Sequence, residues 1–321
     1  MSWHTAGTRW RSVLVFLTLV ILPAQHGCAV PGAYEDARAK AAASSVIVSP
    51  ATLDGWLTQG YGTDAFGYHK LVVLDVSNAA GYAAGHIPGA FHLDTAADLM
   101  VSRSEGIGGS YSYTDTNGVT FTDVNVPSEV ATSEMMNALF RRTGIDRNTV
   151  VVVAGDTLLN AGIAYFNFRY WGFPKERLRV LDRTKAEWVT AGFTLQTATP
   201  PSPAPSTYAV CELTQNTSLR ASLADMIQLA KGGVPNAIAL DVRTANEFGG
   251  VAGATAGPFS GRAGYTKKVA FEGHVQGAVN LPYTDLVTGT APASMVLLDV
   301  EAAKAALAAK GVTGDIRTHV Y

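Results

Sequence analysis

The chain has 321 residues, 47% of them hydrophobic and 16% charged, with a formal net charge of −2 and two cysteines. That length accommodates two domains, and that apolar fraction is ordinary for a packed core. A near-neutral balance without a basic stripe argues against nucleic-acid binding, and regular apolar segments argue against disorder.

The N-terminus carries Arg9 and Arg11, an apolar run over residues 13–22, Pro23, and small residues at Gly27, Cys28 and Ala29. These are the parts of a secretory signal peptide, and the run falls short of the ~20 apolar residues that span a bilayer. Cleavage after Ala29 fits the small residues at Gly27 and Ala29, making 1–29 a signal peptide. The Gly27–Cys28 pair also resembles a bacterial lipoprotein site, although Gln25 and His26 depart from that pattern. Either way the expectation is an exported protein, periplasmic or secreted, touching a membrane only if Cys28 is lipidated. With Cys28 removed or lipidated, Cys211 would have no partner in the chain. It is expected to be a small buried hydrophobe in a strand over 208–213, because no glycine-rich turn or helix start follows to activate a thiolate.

Residues 30–45 read as a small-residue spacer and 46–196 as a first domain. Residues 71–76 (Leu-Val-Val-Leu-Asp-Val) predict a buried strand. A short helical stretch ending near Tyr82 follows, then the turn Gly-His-Ile-Pro-Gly-Ala at 85–90. Residues 102–126 form an insertion with Asp-Thr-Asn-Gly at 115–118, a hairpin signal. A helix over 135–143 ends at Gly144. Then come a strand over 149–153, a loop over 154–162, a helix over 163–171 and a strand over 178–181.

Four prolines mark 197–207 as an extended, semi-rigid linker. Residues 208–321 then repeat the first domain. A strand over 237–243 (Ala-Ile-Ala-Leu-Asp-Val-Arg) precedes Phe248, and 273–278 read Gly-His-Val-Gln-Gly-Ala. A Gly/Ala-rich insertion covers 249–264. A helix over 302–310 ends at Gly311, and a strand runs over 316–321. Strand–helix alternation predicts α/β domains with mainly parallel sheets flanked by helices.

His86 and His274 sit between a glycine and a turn, where hydrogen bonds to nearby backbone would fix the loop. No further ligands cluster with them as a metal site would need, and no dinucleotide or phosphate loop follows a strand. The reading therefore holds no metal and no cofactor.

The Asp-Val strand followed by Gly-His-x-x-Gly-Ala, occurring twice, resembles the rhodanese-like fold. The tandem arrangement resembles the thiosulfate and 3-mercaptopyruvate sulfurtransferases, over nearly all of residues 46–321. The resemblance implies a cysteine opening a loop after the fourth strand, where backbone N–H groups and a helix N-terminus favour a thiolate. That thiolate takes sulfur from a small anionic donor as a persulfide and passes it to a thiol or cyanide. The first-half loop holds Asp156 and no cysteine, so that half is expected to be inactive and to pack against the second. Matching Gly144 to Gly311 sets Ala154 opposite Tyr321, so the nucleophilic cysteine is expected immediately after Tyr321. On this reading the second domain is C-terminally truncated before the active-site loop and the chain inactive. The resemblance also makes Arg243 the residue that binds the anionic donor, a role suited to a bidentate guanidinium. Its alternative is a surface pair with Glu247, four residues on. A non-catalytic binding module and a phosphatase of the same fold stand as the other functional readings.

Overall fold

In the computed structural model the described residues are 45–104, 112–114, 120–122, 125–255 and 272–321. The predicted signal peptide, Cys28 and most of the Gly/Ala-rich insertion lie outside them.

A five-stranded parallel sheet of order β1-β9-β8-β2-β3 organises the first half. Its strands are β1 (Ile47–Val48), β2 (Lys70–Asp75), β3 (Phe91–His92), β8 (Thr149–Ala154) and β9 (Leu178–Leu181). Every residue of β8 is buried, as suits the middle strand of a parallel sheet covered on both faces. Alternation divides the strands between two cores. Val72, Leu74, Val151 and Val153 join Phe140, Phe168 and Phe173 on one face. Val73 and Val152 join Leu53, Ile87 and Trp188 on the other.

Helices α1 (Pro50–Gln59), α2 (Ala79–Ala84), α3 (Thr95–Leu99), α4 (Ser133–Thr143), α5 (Leu158–Tyr170) and α6 (Lys185–Thr190) complete this half. Helix α4 illustrates how the sequence sets its own limits. Thr132 caps the Met135 N–H, Arg141 and Arg142 lie in the last turn, and Gly144 adopts φ 68° to end the helix. Met136, Leu139, Phe140 and Thr143 are its buried stripe, spaced as one helical face. The predicted insertion hairpin is present: β4 (Met100–Ser104) pairs with β7 (Asn125–Val130), and β5 (Ser112–Thr114) pairs with β6 (Thr120–Thr122), all antiparallel.

The proline-rich segment is not a free spacer. It straps across the first half. Gln196 bridges His86, Pro203 packs on Gly144, and the Ser206 N–H reaches the Arg141 carbonyl at 3.4 Å. Residues 208–213 correct the expected strand: Val210–Glu212 is a 3-10 helix. Tyr208, Val210 and Leu213 belong to the first half's core, with Tyr208 stacked on Phe140 at 5.6 Å. The Tyr208 hydroxyl accepts from Arg177 Nη2 at 2.7 Å, which helps satisfy a guanidinium that is 1% exposed. Arg220 and Glu129 close the strap with an ion pair. Cys211 is not the expected buried hydrophobe: it is exposed, and in the full chain, with the N-terminal segment still attached, it is disulfide-bonded. The chain's other cysteine is Cys28.

The second half holds α7 (Leu223–Ala230), β10 (Ala237–Asp241), α8 (Ala245–Phe248), β11 (Val279–Asn280), α9 (Val300–Ala308) and β14 (Arg317–Val320). Among the described residues its sheet has the order β11-β10-β14, parallel throughout. Helix α9 begins and ends two residues before the predicted 302–310, because Asp299 caps its start. The antiparallel hairpin of β12 (Val287–Thr290) and β13 (Ser294–Leu297) joins the two halves. The Thr184 N–H donates to the Met295 carbonyl at 2.9 Å, and the Leu297 N–H donates to the Asp182 carbonyl at 2.7 Å. Met295 is fully buried in this seam.

Candidate functional site

Each half ends its leading strand in an aspartate with no exposed surface, Asp75 on β2 and Asp241 on β10. The surrounding backbone is laid out alike. Leu74 pairs with Val153 and Leu240 with Val320. The Val76 N–H donates to the Ala154 carbonyl at 2.7 Å, and the Val242 N–H donates to the Tyr321 carbonyl at 3.1 Å. Asp75 Oδ1 accepts from the Ser77 N–H, and Asp241 Oδ1 from the Arg243 N–H, both at 2.9 Å. Tyr321 thus occupies the strand-end position that Ala154 holds in the first half, as the glycine-to-glycine alignment expects.

The two turn histidines match their sequence reading. His86 Nδ1 lies 3.0 Å from the Tyr82 carbonyl, with the rings stacked at 3.9 Å. His274 Nδ1 lies 2.8 Å from the Phe248 carbonyl, with the rings stacked at 3.8 Å. Gly89 and Gly277, at φ 73° and 79°, let each turn close. These contacts make both histidines loop anchors beneath the strand ends.

A buried carboxylate needs a cation nearby, and the two halves draw it from different places. In the second half Arg243 supplies it from two residues on. Its Nε and Nη2 fork onto Asp241 at 3.0 and 2.5 Å, and Nη2 also meets the Gly273 carbonyl at 2.7 Å. The guanidinium lies over the Tyr321 ring, 5.5 Å from its centroid. Tyr321 in turn accepts the Val275 N–H on its hydroxyl at 2.8 Å, tying the strand end to the histidine turn. Burial pushes the Asp241 carboxyl up, but hydrogen bonds from the Arg243 side chain and backbone outweigh it and hold the group below the usual range. The same carboxylate raises the Arg243 guanidinium. Glu247 is not the partner of Arg243: its carboxylate accepts from the Thr244 N–H at 3.1 Å and hydroxyl at 2.8 Å, capping α8. Among the described residues, Arg243 Nη1 makes no hydrogen bond.

In the first half position 77 is a serine, and the cation comes from Lys185 at the start of α6. Sequence reasoning missed it. Lys185 is 5% exposed. Its Nζ lies 2.9 Å from Ser77 Oγ, 2.9 Å from the Gly81 carbonyl, 3.1 Å from Asp156 Oδ1 and 3.6 Å from Asp75 Oδ2. The loop that follows β8 is drawn into the same network. The Asp156 N–H donates to Ser77 Oγ at 3.1 Å, and the Gly155 carbonyl accepts the Lys185 N–H at 2.8 Å. Asp156 Oδ2 also lies over Gly81, in the space a Cβ there would take. An ammonium and a carboxylate therefore occupy the neighbourhood of the loop, which carries no cysteine. The available signal was a lysine at the first position of a short helix, Lys185, together with an Asp-Val strand that lacks the arginine of its repeat.

Among the described residues no group of three or more His, Cys, Asp or Glu side chains could hold a metal, and no helix is long and apolar enough to cross a membrane.

Residues 61–191 match the family model of the rhodanese-like domain. SseA from Escherichia coli, a 3-mercaptopyruvate sulfurtransferase, is similar in structure, with a TM-score of 0.59 and 18% identity over 86% of this chain and 88% of its own. YnjE gives a TM-score of 0.54 at 18% identity. The anaerobic ergothioneine biosynthesis enzyme of Chlorobium limicola, solved with trimethyl histidine, gives 0.55 at 17%. The chain spans 58% and 60% of the length of these two. No curated protein matches the chain. Residues 61–191 therefore form a rhodanese-like domain, and the chain as a whole shares the fold of these rhodanese-type structures.

Proposed function

We propose that this chain belongs to an exported, tandem rhodanese sulfurtransferase whose second half binds an anionic sulfur donor and whose first half is a non-catalytic support. The observation that carries this reading is the shared register. Tyr321 stands at the strand end where Ala154 leads into the first-half loop, and Arg243 lies beside it. The residue after Tyr321 would then open the catalytic loop, and we assign the nucleophilic cysteine to it. Its thiolate would attack the outer sulfur of thiosulfate, or the thiol sulfur of 3-mercaptopyruvate, whose carbon–sulfur bond then breaks with the electron pair leaving on the pyruvate enolate. For thiosulfate, a cysteine–sulfur bond forms, the sulfur–sulfur bond of the donor breaks, and sulfite leaves with the electron pair. An acceptor such as cyanide or a thiol then attacks the persulfide's outer sulfur and restores the thiolate.

Arg243 would share its charge between Asp241 and the donor. Two of its nitrogens serve Asp241 and the histidine turn, which leaves Nη1 for an incoming anion. The Lys185–Asp156 pair supports the non-catalytic assignment of the first half, because it places charges where an anion would need N–H donors. Export rests on the N-terminal pattern of Arg9, Arg11 and the apolar run over 13–22.

The test is direct. Purified residues 30–321 should form no thiocyanate from thiosulfate and cyanide, yet should bind thiosulfate, with affinity falling about tenfold in Arg243→Met. Cyanide-dependent sulfur transfer by that chain would overturn the assignment of the nucleophile. Unchanged affinity in the variant would overturn the role of Arg243.

A further inference from the structure

The sheet and the histidine turn hold Tyr321 at both ends. Its N–H donates to the Leu240 carbonyl, and its carbonyl accepts the Val242 N–H, each at 3.1 Å. Those bonds set where the side chain leaves the strand. At the far end of the ring the hydroxyl accepts the Val275 N–H at 2.8 Å. Burial, with the Asp241 carboxylate nearby, pushes that hydroxyl above its ordinary value, so the group stays a neutral phenol. A ring fastened at its backbone and at its hydroxyl is a fixed platform.

Arg243 lies on that platform. Its guanidinium carbon is 5.5 Å from the ring centroid, inside the ~6 Å reach of a cation over an aromatic face. The two side chains also grip one turn from two sides, Arg243 Nη2 on the Gly273 carbonyl at 2.7 Å and the Tyr321 hydroxyl on the Val275 N–H. Asp241 holds one edge of the guanidinium, through Nε and Nη2. An edge alone leaves the tilt of the plane open. A ring against the face closes that freedom and fixes the direction in which Nη1 points. A planar fork selects an anion by that geometry as well as by charge.

The first half supplies the contrast. The residue at its strand end is Ala154, which has no ring, and position 77 is a serine, which has no guanidinium. Its buried aspartate draws a cation from Lys185 instead. Ring and arginine thus occur together in the second half, at positions where the first half has neither.

We propose that Tyr321 is a positioning residue, setting the plane of the Arg243 guanidinium and so the direction from which that site takes its anion. The inference rests on the reading of Arg243 as the donor-binding residue, and Tyr321 acts through Arg243 without touching the donor. Two readouts on the full chain test it: thiosulfate titration, and the Arg243 side-chain NMR signal without anion, which a ring over the guanidinium shields. Tyr321→Leu should bind thiosulfate about fivefold more weakly and lose the shielding. Tyr321→Phe should bind within about twofold of the parent and keep it. Both variants lose the hydroxyl and its bond to Val275, so a merely structural role would affect them alike. Should the leucine variant fail to fold, Tyr321→Met takes its place with the same expectations. Parent-like affinity without the ring, or a phenylalanine variant as weak as the leucine one, would overturn the proposal. A parent that binds no thiosulfate yet shows a shielded Arg243 signal would overturn the donor reading and leave the positioning standing. An unshielded signal in the parent would overturn the positioning whether or not thiosulfate binds.

Discussion

Replacing Lys185 with methionine isolates the buried charge network of the first half. Methionine keeps most of the stem's volume and removes the ammonium, so cavity formation contributes little. Asp75, fully buried, then loses its cation, and Asp156 and Ser77 lose a shared partner. Breaking one side of a buried pair costs about 3–5 kcal/mol, because the remaining charge is neither hydrated nor matched. For a unit of this size each kcal/mol lowers the melting temperature by roughly 2–4 °C, so the variant should melt roughly 6–20 °C lower. Thermal unfolding followed by circular dichroism at pH 7 reads the shift. Adding Asp75→Asn to Lys185→Met should recover part of the loss, because it removes the stranded carboxylate. A single variant within about 2 °C of the parent would refute the reasoning, as would a double variant no more stable than the single.

Two further outcomes follow from the same contacts. The folded-state carboxyl of Asp241 is held below its unfolded value near 3.9, so its contribution to stability is present above about pH 4 and is lost as pH falls through the folded value. Arg243→Met removes that lowering, so acid unfolding of the second half should begin at higher pH, and a superimposable acid-unfolding curve would contradict it. Met295→Ala should cost about 2–5 kcal/mol of cavity and contact energy and loosen the seam between the halves. Amide exchange at Thr184 and Leu297 should quicken; unaltered exchange there would show that the hairpin does not hold the seam.

The strands were legible because their signal is local. Residues 149–154 form a branched apolar run that has no amphipathic alternative, and β8 is buried along its whole length. The histidine turns were legible for the same reason, since Gly, His and Gly each have one backbone role at that spacing. The cation for Asp75 was not legible. Lys185 reaches it from more than a hundred residues away, and a lysine opening a short helix of mixed polarity does not name its partner. Arg243 was singled out as an anion-binding residue, with a surface pair to Glu247 as its alternative, and Asp241 was not foreseen as the acid it meets. The i,i+4 spacing to Glu247 suggested a pair, but Glu247 is engaged in capping its own helix while Asp241 lies buried within reach. The strap failed for another reason. Prolines report backbone extension and say nothing about docking. Docking came from Tyr208, Val210 and Leu213, whose apolar spacing reads equally well as a strand.

The central claim is that the residue after Tyr321 is a sulfur-carrying cysteine held beside Arg243. It is tested by expressing the chain with the residues its gene encodes beyond Tyr321, incubating it with thiosulfate, and measuring its intact mass. The account predicts the gain of one sulfur atom, located to the cysteine directly following Tyr321 and removed by cyanide as thiocyanate. A different residue at that position, or a chain whose mass does not change, would contradict it.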